Sequence, residues 1–215
     1  MQNQVILCHF GGPTCEEQVR PFLKKLFLDP FIIRASFPDF FRRFLAERIS
    51  SKRWQHTDAQ YKEIGYSPIN KYTDAQAKLL ENKLNKIESN TKVFVVNRYT
   101  EPFAEEVTKK MSFDKNTRNF LVSLYPHFCH STTASSFREF ELAFRGACKD
   151  PGQFPRRVYS WWCHPSYLQY SFELLQKKVK EHVAKKSKLS ILFSAHGLPK
   201  RYVMRGDPYL SLIHI

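Results

Sequence analysis

Apolar residues along the chain fall into short runs and helical stripes that alternate from one end to the other. Residues 4–10 are an apolar run ending at Gly11-Gly12-Pro13, the form of a strand that breaks into a turn. Over residues 15–28, Val19, Phe22, Leu23, Leu26 and Phe27 share one helical face, and Asp29-Pro30 stops the helix. Phe41, Phe44, Leu45 and Ile49 repeat that stripe over residues 40–49, while Gly and Pro punctuate residues 61–69, which read as a loop. Thr73-Asp74-Ala75-Gln76 has the form of a capping box and opens a helix carrying Ala77, Leu80, Leu84 and Ile87. A strand over 93–99, a helix over 103–111 and a strand over 120–125 follow. After Thr132-Thr133 a helix carries Phe137, Phe140, Leu142 and Phe144. Beyond the breaker-rich Pro151-Gly152 and Phe154-Pro155 come a strand near 158–162, a helix aligning Phe172, Leu175, Val179 and Val183, and a strand over 189–193.

Strands alternating with helices predict an α/β fold with parallel sheets and functional loops at the C-terminal ends of the strands. The breaker-rich linker divides the chain into a first domain over residues 1–155 and the start of a second over 156–215. Two credible strands are too few to bury both faces of a second sheet, so the second domain reads as incomplete.

Composition narrows the class. Hydrophobic residues make up 42% of the chain and aromatic residues 15%, and 19 Phe and 10 Tyr leave aromatic surface to line an apolar pocket. No apolar run is long enough to span a bilayer, and Met1-Gln2-Asn3-Gln4 has neither a basic leader nor an Arg-rich presequence, so a soluble, uncleaved chain is expected. The net charge of +14 favours anionic partners. Its densest run (Lys177, Lys178, Lys180, Lys185, Lys186, Lys188) reads as a solvated helix face. No zinc-finger spacing or aromatic RNA-binding signature accompanies the charge, so nucleic acid is not an expected partner. Aromatic and basic residues together suit peripheral contact with an anionic bilayer, although no segment reads as an anchor. The 5 cysteines are an odd count without a CxxC pair and read as free thiols in a reducing, cytoplasmic compartment; neither a structural zinc nor an Fe–S cluster is expected.

Three strand ends carry chemistry. His196 directly follows the 189–193 run and precedes Gly197 and Pro199, where its neutral imidazole can bind a divalent metal or accept a proton. Residues 124–133 carry His127 and His130, a weak metal spacing that leaves His127 open and His130 structural or loop-exposed; Ser131-Thr132-Thr133 reads as a helix cap. Asn97-Arg98-Tyr99 offers a guanidinium to pair with a carboxylate and a phenol to stack on a flat ligand, unless Arg98 forms an ordinary surface ion pair. Together they suit a flat, apolar, carboxylate-bearing ligand.

Taken in order, Gly11-Gly12-Pro13, the 21–30 segment ending Leu28-Asp29-Pro30, the 61–69 segment with Ser67-Pro68, Arg98-Tyr99, Tyr125-Pro126 with Ser131-Thr132-Thr133, Ser194-Ala195-His196-Gly197-Leu198-Pro199 and Gly206-Asp207-Pro208-Tyr209 resemble the ferrochelatase family. The resemblance covers the chain to about Tyr209. It implies two Rossmann-like domains with a porphyrin between them and a lyase of haem biosynthesis that inserts ferrous iron into protoporphyrin IX or coproporphyrin III. It assigns His196 to catalysis and to the metal, and Phe10, Ser67, Arg98, Tyr99 and Tyr125 to the porphyrin, with ferrous iron as substrate and no cofactor. Chelation of another metal or tetrapyrrole, or porphyrin binding without catalysis, is the alternative. Residues 64–67 hold fewer glycines than the family pattern, position 127 is His where many relatives carry Gln, and residues 210–215 do not resemble the family's continuation, which reads as a foreign tail lacking the family's glutamate.

Overall fold

The computed structural model describes residues 1–33, 38–184 and 189–213. Lys185, Lys186 and Lys188 of the basic run and the last two residues of the tail lie outside the described residues. The chain forms two compact units, one of Met1–Tyr125 with His130–Val158 and the other of Pro126–Cys129 with Tyr159–Ile215.

The first unit is α/β. Strands β1 (Gln2–His9), β2 (Thr91–Asn97), β3 (Thr117–Ser123) and β4 (Arg156–Val158) form one parallel sheet in the order β2-β1-β3-β4. Helices α1 (Glu16–Leu28), α2 (Asp39–Glu63) and α3 (Ile69–Ile87) lie between β1 and β2, α4 (Ala104–Thr108) between β2 and β3, and α5 (Ser135–Ala147) after β3. Strand periodicity sorts the side chains into two cores. Ile6, Cys8, Val96 and Leu121 face Val107 of α4 and Phe137, Phe140 and Phe144 of α5. Val5 and Leu7 face the opposite way, with Val93, Val95, Phe120 and Val122, against Ala77, Leu80 and Leu84 of α3. The strand order changes direction at β1, so the switch point that gathers ligands in such sheets lies at the C-terminal ends of β1 and β3.

Several elements differ from expectation. The strand expected near 158–162 ends at Val158 and pairs with β3, Val122 opposite Val158, so it completes the first sheet. The units therefore divide after Val158, three residues past the expected linker. Helix α2 continues to Glu63, which shortens the expected loop to residues 64–68. Its later buried positions are Ser50 and Asp58, so no apolar stripe marks the extension. Thr73 is not a cap: α3 starts at Ile69, and the Thr73 hydroxyl donates to the Ile69 carbonyl at 2.9 Å inside the helix.

The second unit carries α6 (Pro165–Ala184), α7 (Lys200–Val203) and α8 (Tyr209–Ile213), and no strand among its described residues. Residues 189–193, expected as a strand, take no regular secondary structure, and Leu192 and Phe193 are 91% and 82% exposed. A β-strand exists only through its ladder, and none of the described residues of the second unit forms a strand to complete one. Among the described residues no helix is long and apolar enough to cross a membrane.

Candidate functional site

In the first unit the candidate site is built on the C-terminal ends of β1, β2 and β3. The chain leaving β1 turns at Gly11, whose φ of +70° disfavours any residue with a Cβ. Backbone bonds then tie the strand ends together: Arg98 N–H donates to the His9 carbonyl at 2.8 Å, Tyr99 N–H to the Phe10 carbonyl at 3.0 Å, and Leu124 N–H to the Cys8 carbonyl at 3.1 Å. The side chains that follow form a continuous aromatic stack. Phe10 lies 5.0 Å from Tyr99 and 5.4 Å, edge-on, from Tyr125, while His9 stacks on Tyr125 at 5.2 Å. Phe10 is half-buried, Tyr99 fully buried. Phe22 of α1 meets the Tyr99 ring edge-on at 5.9 Å.

Behind the stack lies a buried ion pair. Arg98 approaches Asp29 at 3.2 Å and Glu139 at 3.4 Å, and its Nε donates to the Ser135 hydroxyl at 2.9 Å. Tyr99 donates to Asp29 at 2.7 Å, and the Ser135 hydroxyl donates to the same carboxylate oxygen. Arg98 is thus no ordinary surface ion pair, the alternative its position allowed. Burial, followed by the negative charge of Asp29, pushes the Tyr99 phenol far above its usual range, which keeps the proton it donates in place. Burial likewise raises Tyr125 well above its usual value. His9 is held below its usual value by burial, so it stays neutral near pH 7, and its Nδ1 accepts from Gly11 N–H at 3.3 Å.

Ser67 reaches this region through the turn between α2 and α3. Its N–H donates to the Pro13 carbonyl at 2.9 Å, and Asn70 closes a two-way pair with the Gly12 backbone, 3.1 Å in each direction. Phe10, Ser67, Arg98, Tyr99 and Tyr125 therefore all belong to the first unit and gather where its β1 and β3 loops open. The residues that sequence patterns missed are Asp29, Ser135, Glu139 and His9. Asp29-Pro30 reads as a helix stop, and its partners Tyr99 and Ser135 are 70 and 106 residues away. The hydroxyl run differs from its expected capping role: residues His130–Ala134 form a π-helical turn, and Thr133 bonds Ser123 at 3.0 Å at the end of β3.

The second unit holds His127 and His196. The Pro126 carbonyl accepts from the Ser160 hydroxyl at 2.8 Å and from Trp161 and Trp162 N–H at 2.9 and 3.1 Å, fixing the segment. The His127 ring stacks on Trp162 at 6.2 Å and meets the edge of Tyr209 at 6.2 Å, and burial lowers its pKa. Buried Asp207 accepts from the Cys129 thiol at 3.4 Å and from Tyr209 N–H at 3.0 Å, which explains the Gly-Asp-Pro-Tyr motif as a start for α8. His196 is exposed on the segment between Phe193 and α7, without a hydrogen bond among the described residues. No group of three or more His, Cys, Asp or Glu side chains among the described residues is arranged to hold a metal ion.

The family model described as Ferrochelatase matches residues 2–214, which includes the segment after Tyr209 that the motifs alone left out. The ferrochelatase of Synechocystis sp. is 40% identical over 214 residues, covering 97% of this chain and 54% of its own length. The ferrochelatases of Rippkaea orientalis and Gloeothece citriformis are 38% and 37% identical, over 97% and 95% of this chain. The chain spans about half the length of the curated relatives it matches. A parallel sheet with an aromatic stack at its switch point, and a family match that runs from β1 past α8, lead to one conclusion: the chain belongs to the ferrochelatase family.

Proposed function

We propose that the protein is a ferrochelatase, a lyase of haem biosynthesis inserting ferrous iron into protoporphyrin IX or coproporphyrin III. The observation that carries this reading is the stack of His9, Phe10, Tyr99 and Tyr125 at the strand ends, in a chain of this family. A porphyrin is a flat aromatic ring with carboxylate arms, and half-buried Phe10 offers it a face. Phe10, Ser67 and Tyr125 are the proposed contacts, with Arg98 and Tyr99 acting from the buried layer beneath. Insertion of a divalent metal releases two protons from the pyrrole nitrogens. His196 is proposed to take up one of them or to hold the incoming metal, roles open to a neutral imidazole. Ferrous iron is a substrate, and no cofactor is required.

Exposed Phe40, Phe41 and Phe44 beside Arg42 and Arg43 on α2 support peripheral contact with an anionic bilayer, with the cytoplasm as the proposed compartment. Nucleic acid is not proposed as a partner. A second reading, porphyrin binding without metal insertion, is favoured by the unpaired segment that carries His196.

The test is anaerobic insertion of ferrous iron, or zinc as surrogate, into protoporphyrin, followed by absorbance and fluorescence. Turnover by the parent with a loss of about 100-fold or more in His196→Ala is expected for a lost proton acceptor. Equal turnover in both would remove His196 from the mechanism. Porphyrin binding with no turnover in either would select the second reading.

A further inference from the structure

Asp29 is a buried carboxylate with four bonding partners among the described residues, and the proposed function assigns it nothing. Its side chain is fully buried. One carboxylate oxygen collects the Tyr99 phenol at 2.7 Å, the Arg98 guanidinium at 3.2 Å and the Ser135 hydroxyl. The other accepts Phe31 N–H at 2.7 Å, so the carboxylate cannot rotate without losing bonds. The donors come from the loop after β2, from the first residue of α5 and from the turn after α1. One buried charge therefore locks three segments at the open end of the sheet.

The buried groups it locks adjoin the candidate site. Neither Tyr99 nor Arg98 belongs to either hydrophobic core cluster. The Tyr99 ring backs Phe10 at 5.0 Å, and the Arg98 guanidinium lies 5.2 Å from the centre of that same Tyr99 ring. The Phe10 side chain has no polar anchor, so among the described residues its ring rests against those of Tyr99 and Tyr125. We infer that Asp29 is a positioning residue for porphyrin binding: acting through Tyr99 and Arg98, it fixes the ring against which Phe10 presents its face to the macrocycle. This inference rests on the porphyrin-binding part of the proposed function.

Protoporphyrin IX titrated into the full chain, read by its emission, tests it on the parent, Asp29→Asn, Tyr99→Phe and Phe144→Leu. Asp29→Asn keeps an acceptor for Tyr99 but removes the charge facing Arg98. Tyr99→Phe removes one hydroxyl and leaves the Asp29–Arg98 pair in place. Phe144→Leu loosens the core under α5 without touching the stack, and so controls for a general loss of stability. The expected dissociation constants are about tenfold weaker for Asp29→Asn and about threefold weaker for Tyr99→Phe, with Phe144→Leu unchanged. The emission maximum of the saturated complex should shift in the first two variants and not in the control.

Parent-like affinity in both Asp29→Asn and Tyr99→Phe would overturn the inference, as would an equal loss in Phe144→Leu. Should Asp29→Asn fail to fold, Tyr99→Phe decides alone. A parent that binds no porphyrin overturns the porphyrin reading and this inference with it, whereas a binding parent with indifferent variants overturns the inference alone.

Discussion

Gly12 sets how closely two loops approach. A Cβ at this position would lie 2.3 Å from the Ser67 hydroxyl oxygen and 2.6 Å from the Ser67 Cβ, inside any tolerable contact. Ser67 has little room to retreat, because its N–H is bonded to Pro13 and Asn70 grips the Gly12 backbone on both sides. At Gly12 the constraint is close approach without a positive φ, whereas Gly11 combines a positive φ with close approach to Asn97 and Thr100. Gly12→Ala should therefore destabilise the first unit by about 1–3 kcal/mol, seen as a lower urea midpoint at unchanged slope. Adding Ser67→Gly should restore much of that loss by clearing the clash. A Gly12→Ala midpoint equal to the parent's would show that the turn after α2 is looser than its bonds indicate.

At the scale of elements, α5 does the most to tie the sheet to one of its two layers. Phe137, Phe140 and Phe144 recur at helical spacing and are buried against Ile6, Val96 and Leu121. Phe140 is wholly buried, and its ring lies 5.9 Å from that of Phe144. Phe140→Ala should cost about 3–5 kcal/mol in equilibrium unfolding, since the neighbouring rings cannot collapse into the space. A loss below about 1 kcal/mol would mean that α5 repacks on the sheet. Such stripes are what made β1, β2, β3, α1 and α5 legible from sequence: each carries its burial signal within a few consecutive residues. Arg98 and Tyr99 could be singled out because they stand at the end of an apolar run, whereas Phe10, Ser67 and Tyr125 are assigned to the porphyrin only by the family resemblance. Where burial falls on Ser50 or Asp58, as in α2, that signal vanishes and the helix end was misplaced by more than three turns. Asp29 was illegible for another reason, since its partners become neighbours only when β2 and α5 are in position. Residues 189–193 failed in the opposite sense: their β propensity is real, but a ladder depends on a neighbour that local sequence does not encode.

For the molecule as a whole, pH should act on stability through histidines held neutral. Burial lowers the pKa of His9 and of His127, so each takes up a proton less readily in the fold than in the unfolded chain. The sign follows from proton counting. Above the unfolded value of about 6.5 both states are neutral at these sites and folding is not opposed. As pH falls below that value the unfolded chain binds protons first, and stability declines until the folded histidines titrate in turn. Added positive charge on a chain already at +14 works in the same direction. The urea midpoint should therefore fall between pH 7.5 and pH 5. Replacing His9 by Asn keeps an acceptor near the Gly11 N–H while removing the titrating ring, so His9→Asn should show a shallower decline than the parent. His127→Asn should flatten it further when combined. Parallel declines in the parent and His9→Asn would mean that protonated His9 is accommodated beside Tyr125 without cost, and that the acid sensitivity arises from the chain's overall charge.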